Sequence, residues 1–280
     1  MKRRTALGAF GAAATVSVLG IPAARGAQLK LNPFDPGDIQ LITRKLAHTM
    51  GDDVVHWWAK LSRMVMVEKV STPMWDVWVG AILKTKSMDD RGGYETTAIS
   101  MVFYTDVKTG QYLEQFTNPF TGKTVDIGYF PAKPMTRVSA IDGHKKSPER
   151  PGYKVTDNHP LGPAMIIGDD VWVRDDDITF MEPMTEDAGP TFRVQDWNTY
   201  HGSLSDVANP EVLNAPATWH FNDILSFPPW LDMSDHPGDF MSRGFGRKTS
   251  SFDAFPKKLT GMIKMRHPEI LKDPRAALDG

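Results

Sequence analysis

The chain has 280 residues, 41% of them hydrophobic and 10% aromatic, enough apolar material to bury a sizeable core without covalent staples. Acids and bases are interspersed and almost balanced, with a formal charge of -2, so the sequence carries no electrostatic footprint for nucleic acid or for an anionic membrane surface. It contains no cysteine, which excludes disulfides, thiolate nucleophiles and cysteine-ligated zinc or iron–sulfur centres.

Residues 1–27 read as a twin-arginine signal peptide. Arg3-Arg4 opens a mild Ala/Gly/Val stretch, and Ala24-Arg25-Gly26-Ala27 is the expected cleavage neighbourhood. Gly8, Gly11, Gly20 and Pro22 interrupt the apolar stretch, which is too short for a membrane anchor. Every later hydrophobic run is broken by charge, Gly or Pro, so no stable membrane span is expected. The expected mature chain, residues 28–280, is then a single β-rich domain in the periplasm or outside the cell, with the twin-arginine export machinery as one partner. That route carries folded proteins, often with a group already bound, but no nucleotide, haem or flavin fingerprint is present and the cofactor is left unknown.

Residues 35–61 look helical, with Asp35 or Asp38 as a start signal, Ile39, Ile42 and Leu46 at helical spacing, and a break near Gly51. After it come short runs rich in Val, Trp, Tyr, Thr and Phe: Met64 to Val70, Met74 to Lys84, Glu95 to Tyr104, Gln111 to Phe116 and Thr124 to Tyr129, the later ones separated by turns at 106–110 and 118–123. This predicts an antiparallel meander. Tyr94, Thr96, Ala98, Ser100, Val102 and Tyr104 alternate with Glu95, Thr97, Ile99, Met101 and Phe103, so one face is apolar and the other mixed, as the interior of a ligand-holding barrel would be.

Pro131 to Pro163 is dense in Pro, Gly and charge and reads as a long loop. Met165 to Val173, Ile178 to Met181, Thr191 to His201 and Thr218 to Leu225 supply further strands to the same sheet. Leu259, Met262, Ile263 and Ile270 mark short terminal helices. The fold class expected is mainly β (α+β): an antiparallel meander closing into a calycin-like barrel, with short N- and C-terminal helices.

The densest polar and aromatic chemistry lies between Arg193 and Lys248. In extended strands Arg193, Gln195, Trp197, Thr199 and His201 share one face, and His220 and Asn222 share another. If those faces meet inside a barrel, His201 and His220 are candidate acid/base groups, oriented by Asp223 or Asp196. Arg193, Trp197, Trp219, Asn222, Arg243 and Arg247 are candidate substrate contacts, with Arg243-Gly244-Phe245-Gly246-Arg247-Lys248 a site where cations and flexible backbone could meet a carboxylate or phosphate. A partly buried imidazole bonded to a carbonyl is the competing account of each histidine.

Two weaker metal patterns are present. His220, Asp223, His236 and Asp239 repeat a His-to-Asp interval without a His-Glu-x-x-His helix, and Asp169, Asp170, Asp175, Asp176 and Asp177 lack the order of a calcium loop. Neither is assigned as a metal site. Gly-x-Ser-x-Gly is missing around Gly202-Ser203, which disfavours a serine hydrolase.

The export start, with Trp75-Asp76-Val77-Trp78-Val79-Gly80, Gly128-Tyr129-Phe130-Pro131, His220-Phe221-Asn222-Asp223 and Phe227-Pro228-Pro229-Trp230, resembles an exported bacterial family catalogued as domain of unknown function 1838. The likeness covers most of the mature chain and implies one shared domain; it supplies no catalytic residues. A looser likeness of texture is to calycin or lipocalin barrels, which enclose apolar ligands.

The functional expectation is an exported enzyme acting on a small apolar or aromatic molecule by His/carboxylate acid-base chemistry, as a lyase, isomerase or hydrolase. A non-catalytic carrier of a hydrophobic small molecule and a metal-dependent oxidoreductase are the alternatives.

Overall fold

A computed structural model describes residues 29–88, 93–139, 145–146, 152–159, 162–185, 191–233 and 236–280. The signal peptide expected at residues 1–27 lies outside them. Helix α1 (Pro36–Ala47) starts where Asp35 accepts the Asp38 amide and Pro36 presets the first turn. It ends at Ala47 and does not run to residue 61: beyond the Gly51-Asp52-Asp53 break, Val55-His56-Trp57-Trp58 is β-branched and aromatic, and the chain enters β1 (Val55–Val67).

A hairpin leads into β2 (Val70–Ser87), and β3 (Tyr94–Thr105) pairs with β2 along its whole length. The register of β1 on β2 shifts between Arg63 and Met64, so that Met74 and the following Trp75 are both buried, at 3% and 1% exposure. Strands β4 (Gln115–Thr117) and β5 (Thr124–Asp126) form a separate two-stranded ribbon.

The segment expected as a long loop carries β6 (Met135–Ser139), β7 (Lys145–Lys146) and β8 (Tyr153–Asn158), strands too short to show a period in the sequence. Residues 140–144, 147–151 and 160–161 of that segment lie outside the described residues. Then come β9 (Met165–Ile167), β10 (Asp170–Arg174), β11 (Asp177–Pro183), β12 (Phe192–Ser203), the one-turn α2 (Leu204–Ala208), β13 (Thr218–Leu225) and β14 (Asp239–Thr249).

Among the described residues twelve strands make one antiparallel sheet in the order β7-β6-β3-β2-β1-β14-β13-β12-β10-β9, with β11 and then β8 added beside β12. Strand β14, which the glycines at 244 and 246 disguised as a turn, sits in the middle between β1 and β13. Strands from both halves of the chain therefore share one sheet. Among the described residues hydrogen bonds do not close it into the expected barrel. It curls until β7 lies beside β8, and an Arg137–Asp177 ion pair at 3.0 Å links β6 to the start of β11 across the seam.

Three apolar clusters fix the curl. Ile39, Ile42 and Leu46 of α1 cover one end against Val55, Trp57, Val171 and Val173. Trp75, Val77, Leu231, Met233 and Phe240 fill the other end, with Phe116 and Val125 of the β4–β5 ribbon packed on them. Outside, α3 (Lys257–Arg266), α4 (Pro268–Lys272) and α5 (Pro274–Asp279) press Leu259, Met262, Ile263, Ile270 and Leu278 onto Ile82, Ile99, Met101 and Phe103. No helix among the described residues is long and apolar enough to cross a membrane.

Candidate active site

Between the two plugged ends, the curled sheet holds a cavity of about 320 Å³. That is the lower end of the range for small-molecule sites. Trp57 and Ala59 of β1, Val79 and Ala81 of β2, and Thr96, Ala98 and Ser100 of β3 line one side; Asn198, Tyr200, Trp219 and Phe221 of β12 and β13 line the other. The mixed face of β3 thus faces the cavity while Ile99, Met101 and Phe103 point to the C-terminal helices.

The wall is aromatic and held in place by its own polar handles. Tyr200 and Trp219 are cross-strand partners with stacked rings 6.4 Å apart, and Trp57 meets them edge-on at 5.5 and 6.3 Å. The Trp57 indole donates to Ala47 O at 3.0 Å, and the Trp219 indole donates to Asn198 Oδ1 at 2.7 Å, while Asn198 donates to Asp175 O. Across the sheet from this wall, Gly246 leaves room: a Cβ there would lie 2.9 Å from Trp219 and 3.0 Å from Ala59.

One row of the cavity-facing sheet carries three carboxylates on neighbouring strands. Asp177 of β11 is opposite Asp196 of β12, which is opposite Asp223 of β13, and the row continues to Ser242 of β14 and Arg63 of β1. Like charges directly opposite one another in a sheet repel. The two outer members are neutralised. Asp223, only 1% exposed, receives both of its oxygens' bonds from Arg63 Nη1, at 3.0 and 2.8 Å, and a third from Ser242 Oγ at 2.6 Å. Asp177 pairs with Arg137, and His159 Nδ1 lies 2.5 Å from its other oxygen.

The middle carboxyl, Asp196, makes no hydrogen bond or ion pair among the described residues and lines the cavity. Burial, then the charges of Asp223 and Asp177, push its pKa up to about 7, with Arg63 and Arg137 offsetting only part of the effect. A few residues along β12, burial and the same negative neighbourhood, Asp175, Asp177 and Asp196 included, drive the Tyr200 phenol well above its ordinary value.

The residues singled out from the sequence divide by face. Trp219 lines the cavity, and Asp223 lies on the same inner face as a buried partner of Arg63. Arg193, Trp197, Asn222, Arg243, Arg247, His201 and His220 lie on the opposite, outer face and are not gathered around the cavity. His201 stacks on Trp172 at 4.7 Å and meets Asp170 at 2.8 Å, Arg193 reaches Asp239 at 3.4 Å, and His220, Asn222, Arg243 and Arg247 are exposed. The expected meeting of two imidazoles inside is thus corrected by one step of β register: residues 196, 198 and 200 face in, 195, 197, 199 and 201 face out.

His220 and Asp223 point to opposite faces of β13, while His236 packs on Phe120 and bonds Pro237 O, so the repeated His-to-Asp pattern does not converge on one point. Ser234 and Asp235 beside them lie outside the described residues. Asp169 caps the Ser203–Ser205 turn and Asp170 meets His201, so the acids at 169–177 are also spread out. Among the described residues no three His, Asp or Glu side chains are grouped to hold a metal ion.

The residues that sequence reasoning passed over are Trp57, Arg63, Arg137 and Tyr200. Tyr200 and Asn198 sit in the motif already marked as chemically dense, one position out of phase; Arg63 and Arg137 come from distant strands and have no local signal.

A search of curated proteins found no match to this chain. A family model described as "Protein of unknown function (DUF1838)" matches residues 54–280, which include every strand around the cavity. The chain belongs to that family.

Proposed function

We propose that the cavity binds a small molecule with a largely apolar or aromatic body and that Asp196 exchanges a proton with it, in an isomerisation, elimination or hydrolysis. The observation that supports this is the position of Asp196: a carboxyl in an aromatic-walled cavity, free of protein partners among the described residues, with a pKa moved to about 7. A group that titrates near neutral pH is present in both its acid and base forms, the condition for general acid/base work. Trp57, Tyr200 and Trp219 hold the body of the substrate and exclude water, and the neutralised Asp177 and Asp223 fix the charge environment of the reacting carboxyl.

The test uses a panel of small aromatic and isoprenoid compounds, with binding followed by quenching of Trp57 and Trp219 fluorescence and conversion followed by mass spectrometry. Asp196→Asn is expected to keep binding of neutral compounds and to lose about 10²- to 10⁴-fold in conversion. Conversion by the variant at the wild-type rate overturns the role of Asp196, and tight binding without conversion by either protein identifies a carrier instead.

We further propose that the chain works outside the cytoplasm, on the strength of the Arg3-Arg4 segment. A reporter fused to residues 1–27 is expected in the periplasm and to stay in the cytoplasm when Arg3 and Arg4 are both changed to Lys; export unaffected by that change overturns the route.

A further inference from the structure

We propose that the ligand of this cavity is an organic cation, a substituted ammonium on an aromatic or aliphatic body, whose charge sits beside Asp196 against the Trp57, Tyr200 and Trp219 wall. The inference rests on the assignment of the cavity as the functional site and adds the charge of what enters it.

The row Asp177, Asp196, Asp223 supplies the argument. Three carboxylates stand on adjacent strands of one face, and among the described residues cations pair with the two at the ends: Arg63 with Asp223 and Arg137 with Asp177. The middle one, which lines the cavity, has no hydrogen bond or ion pair among the described residues, and Arg63 and Arg137 act on it only at a distance. Asp175 adds a further acid to the lining, and Arg137, the one guanidinium that lines it among the described residues, is already engaged by Asp177. A ligand anion placed here would meet repulsion from Asp196 and would have to take Arg137 from Asp177.

An ammonium meets the reverse. It relieves the repulsion along the row, and its alkyl or aryl body lies on electron-rich indole and phenol faces, which attract cations most when water is excluded. Tyr200 shares this neighbourhood. Its hydroxyl is held in the neutral form by burial and by Asp175, Asp177 and Asp196 around it, the field that would draw a cation in.

The groups that set the charge of Asp196 come from the strands packed about it: Asp177 on β11, Asp223 on β13, Arg63 on β1 and Arg137 on β6; Asp175, Tyr200 and, at the α1 end, His48 are the other titratable groups that line the cavity. Below about pH 7 Asp196 is protonated and the row loses its unbalanced charge; above it the carboxylate is present. Cation affinity therefore rises as pH increases through about 7, with release of a proton on binding at pH 6, whereas affinity for a neutral isostere stays level.

Three probes of one shape separate the outcomes on the full mature chain: benzyltrimethylammonium, the neutral 2-methyl-1-phenyl-2-propanol, and the anionic 3-phenylpropanoate, titrated calorimetrically at pH 6 and pH 8. The cation is expected to bind about tenfold or more tightly than the neutral probe at pH 8, with the preference shrinking at pH 6 and in Asp196→Asn. Equal binding of cation and neutral probe, preference for the anion, or no binding of the cation overturns the inference. Because Asp196→Asn keeps the shape of the site, its neutral-probe affinity serves as the control for folding. Asp196-dependent conversion of a neutral substrate overturns the cation and leaves the acid/base role standing; cation preference with unchanged conversion in Asp196→Asn does the opposite.

Discussion

The two faces of β12, β13 and β14 are built from the same alternating residues and have opposite physical lives. The inner face carries Asp196, Asn198, Tyr200, Trp219, Phe221, Asp223, Ser242 and Lys248, the outer face Trp197, Thr199, His201, His220, Asn222, Arg243, Phe245 and Arg247. Both are polar and aromatic. On the outer face water solvates each group separately, so Phe245 at 54% exposure and Trp197 at 37% lie beside exposed Arg243 and Arg247 with little mutual consequence. On the inner face water is displaced, so each charge must be answered by another protein group or be left strained. The lesson is that composition marks where chemistry is dense, and enclosure decides which half of it has its proton affinity altered.

The sharpest way to break the comparison is to remove the inner counter-ion. Arg63→Ala leaves Asp223, with its side chain 2% exposed, bonded only to Ser242, and is expected to cost about 3–5 kcal/mol in chemical denaturation. If Arg63→Ala is as stable as the wild type, the inner row is not under the electrostatic tension described.

The pH dependence of stability gives the next largest effect. Asp196 is protonated up to about pH 7 when folded but ionises near its ordinary 3.8 when unfolded, so between these values the folded state binds more protons and stability falls as pH rises. Its contribution is fully present below pH 3.8 and gone above about 7, a difference of up to about 4 kcal/mol. Asp196→Asn removes this slope and is expected to be more stable than wild type at pH 8. Equal slopes in the two proteins from pH 5 to pH 8 would show that Asp196 titrates normally.

The smallest effects belong to the outer face. His220→Asn is exposed and is expected to shift stability by less than about 0.5 kcal/mol, and His201→Asn, which gives up a half-exposed contact with Asp170, by about 0–1 kcal/mol. Neither is expected to alter conversion; a large loss of conversion in either returns the reaction to the outer face and ends the contrast.

Much of the sheet was legible because strands announce themselves by composition. Strands β2 and β3 read from their Val, Trp and Thr content, as does the end of β1 from Met64, whereas residues 55–61 of β1 read as a continuation of the first helix; the mixed face of β3 is the one that lines the cavity. The C-terminal helices read from Leu259, Met262, Ile263 and Ile270. Other elements were hidden for particular reasons. In β14 the inward positions 244 and 246 are glycines because a Cβ at 244 would lie 2.6 Å from Leu61, so the apolar signal of its inner face is missing and the strand looks like a flexible turn. In β6 to β8 the runs are too short to show alternation. A buried ladder can rely on backbone pairing and on its neighbours' side chains.

The candidate site was legible in place and wrong by one residue in phase. Alternation along 193–201 states that there are two faces, but both carry aromatics and charge, so local sequence gives no sign of which is enclosed. The sequence alone determined β2, β3 and β9 to β13, the C-terminal helices, the lack of cysteine chemistry and the segment between Arg193 and Lys248 as the richest in chemistry. Tertiary structure alone decided that Asp177, Asp196 and Asp223 form one row, that Arg63 and Arg137 arrive from strands 160 and 40 residues away to neutralise its ends, and that Asp196 is left in between. The reason is range: periodicity is set by backbone geometry within a strand, whereas the proton affinity of a carboxyl is set by whichever charges the curl of the sheet brings within a few ångströms of it.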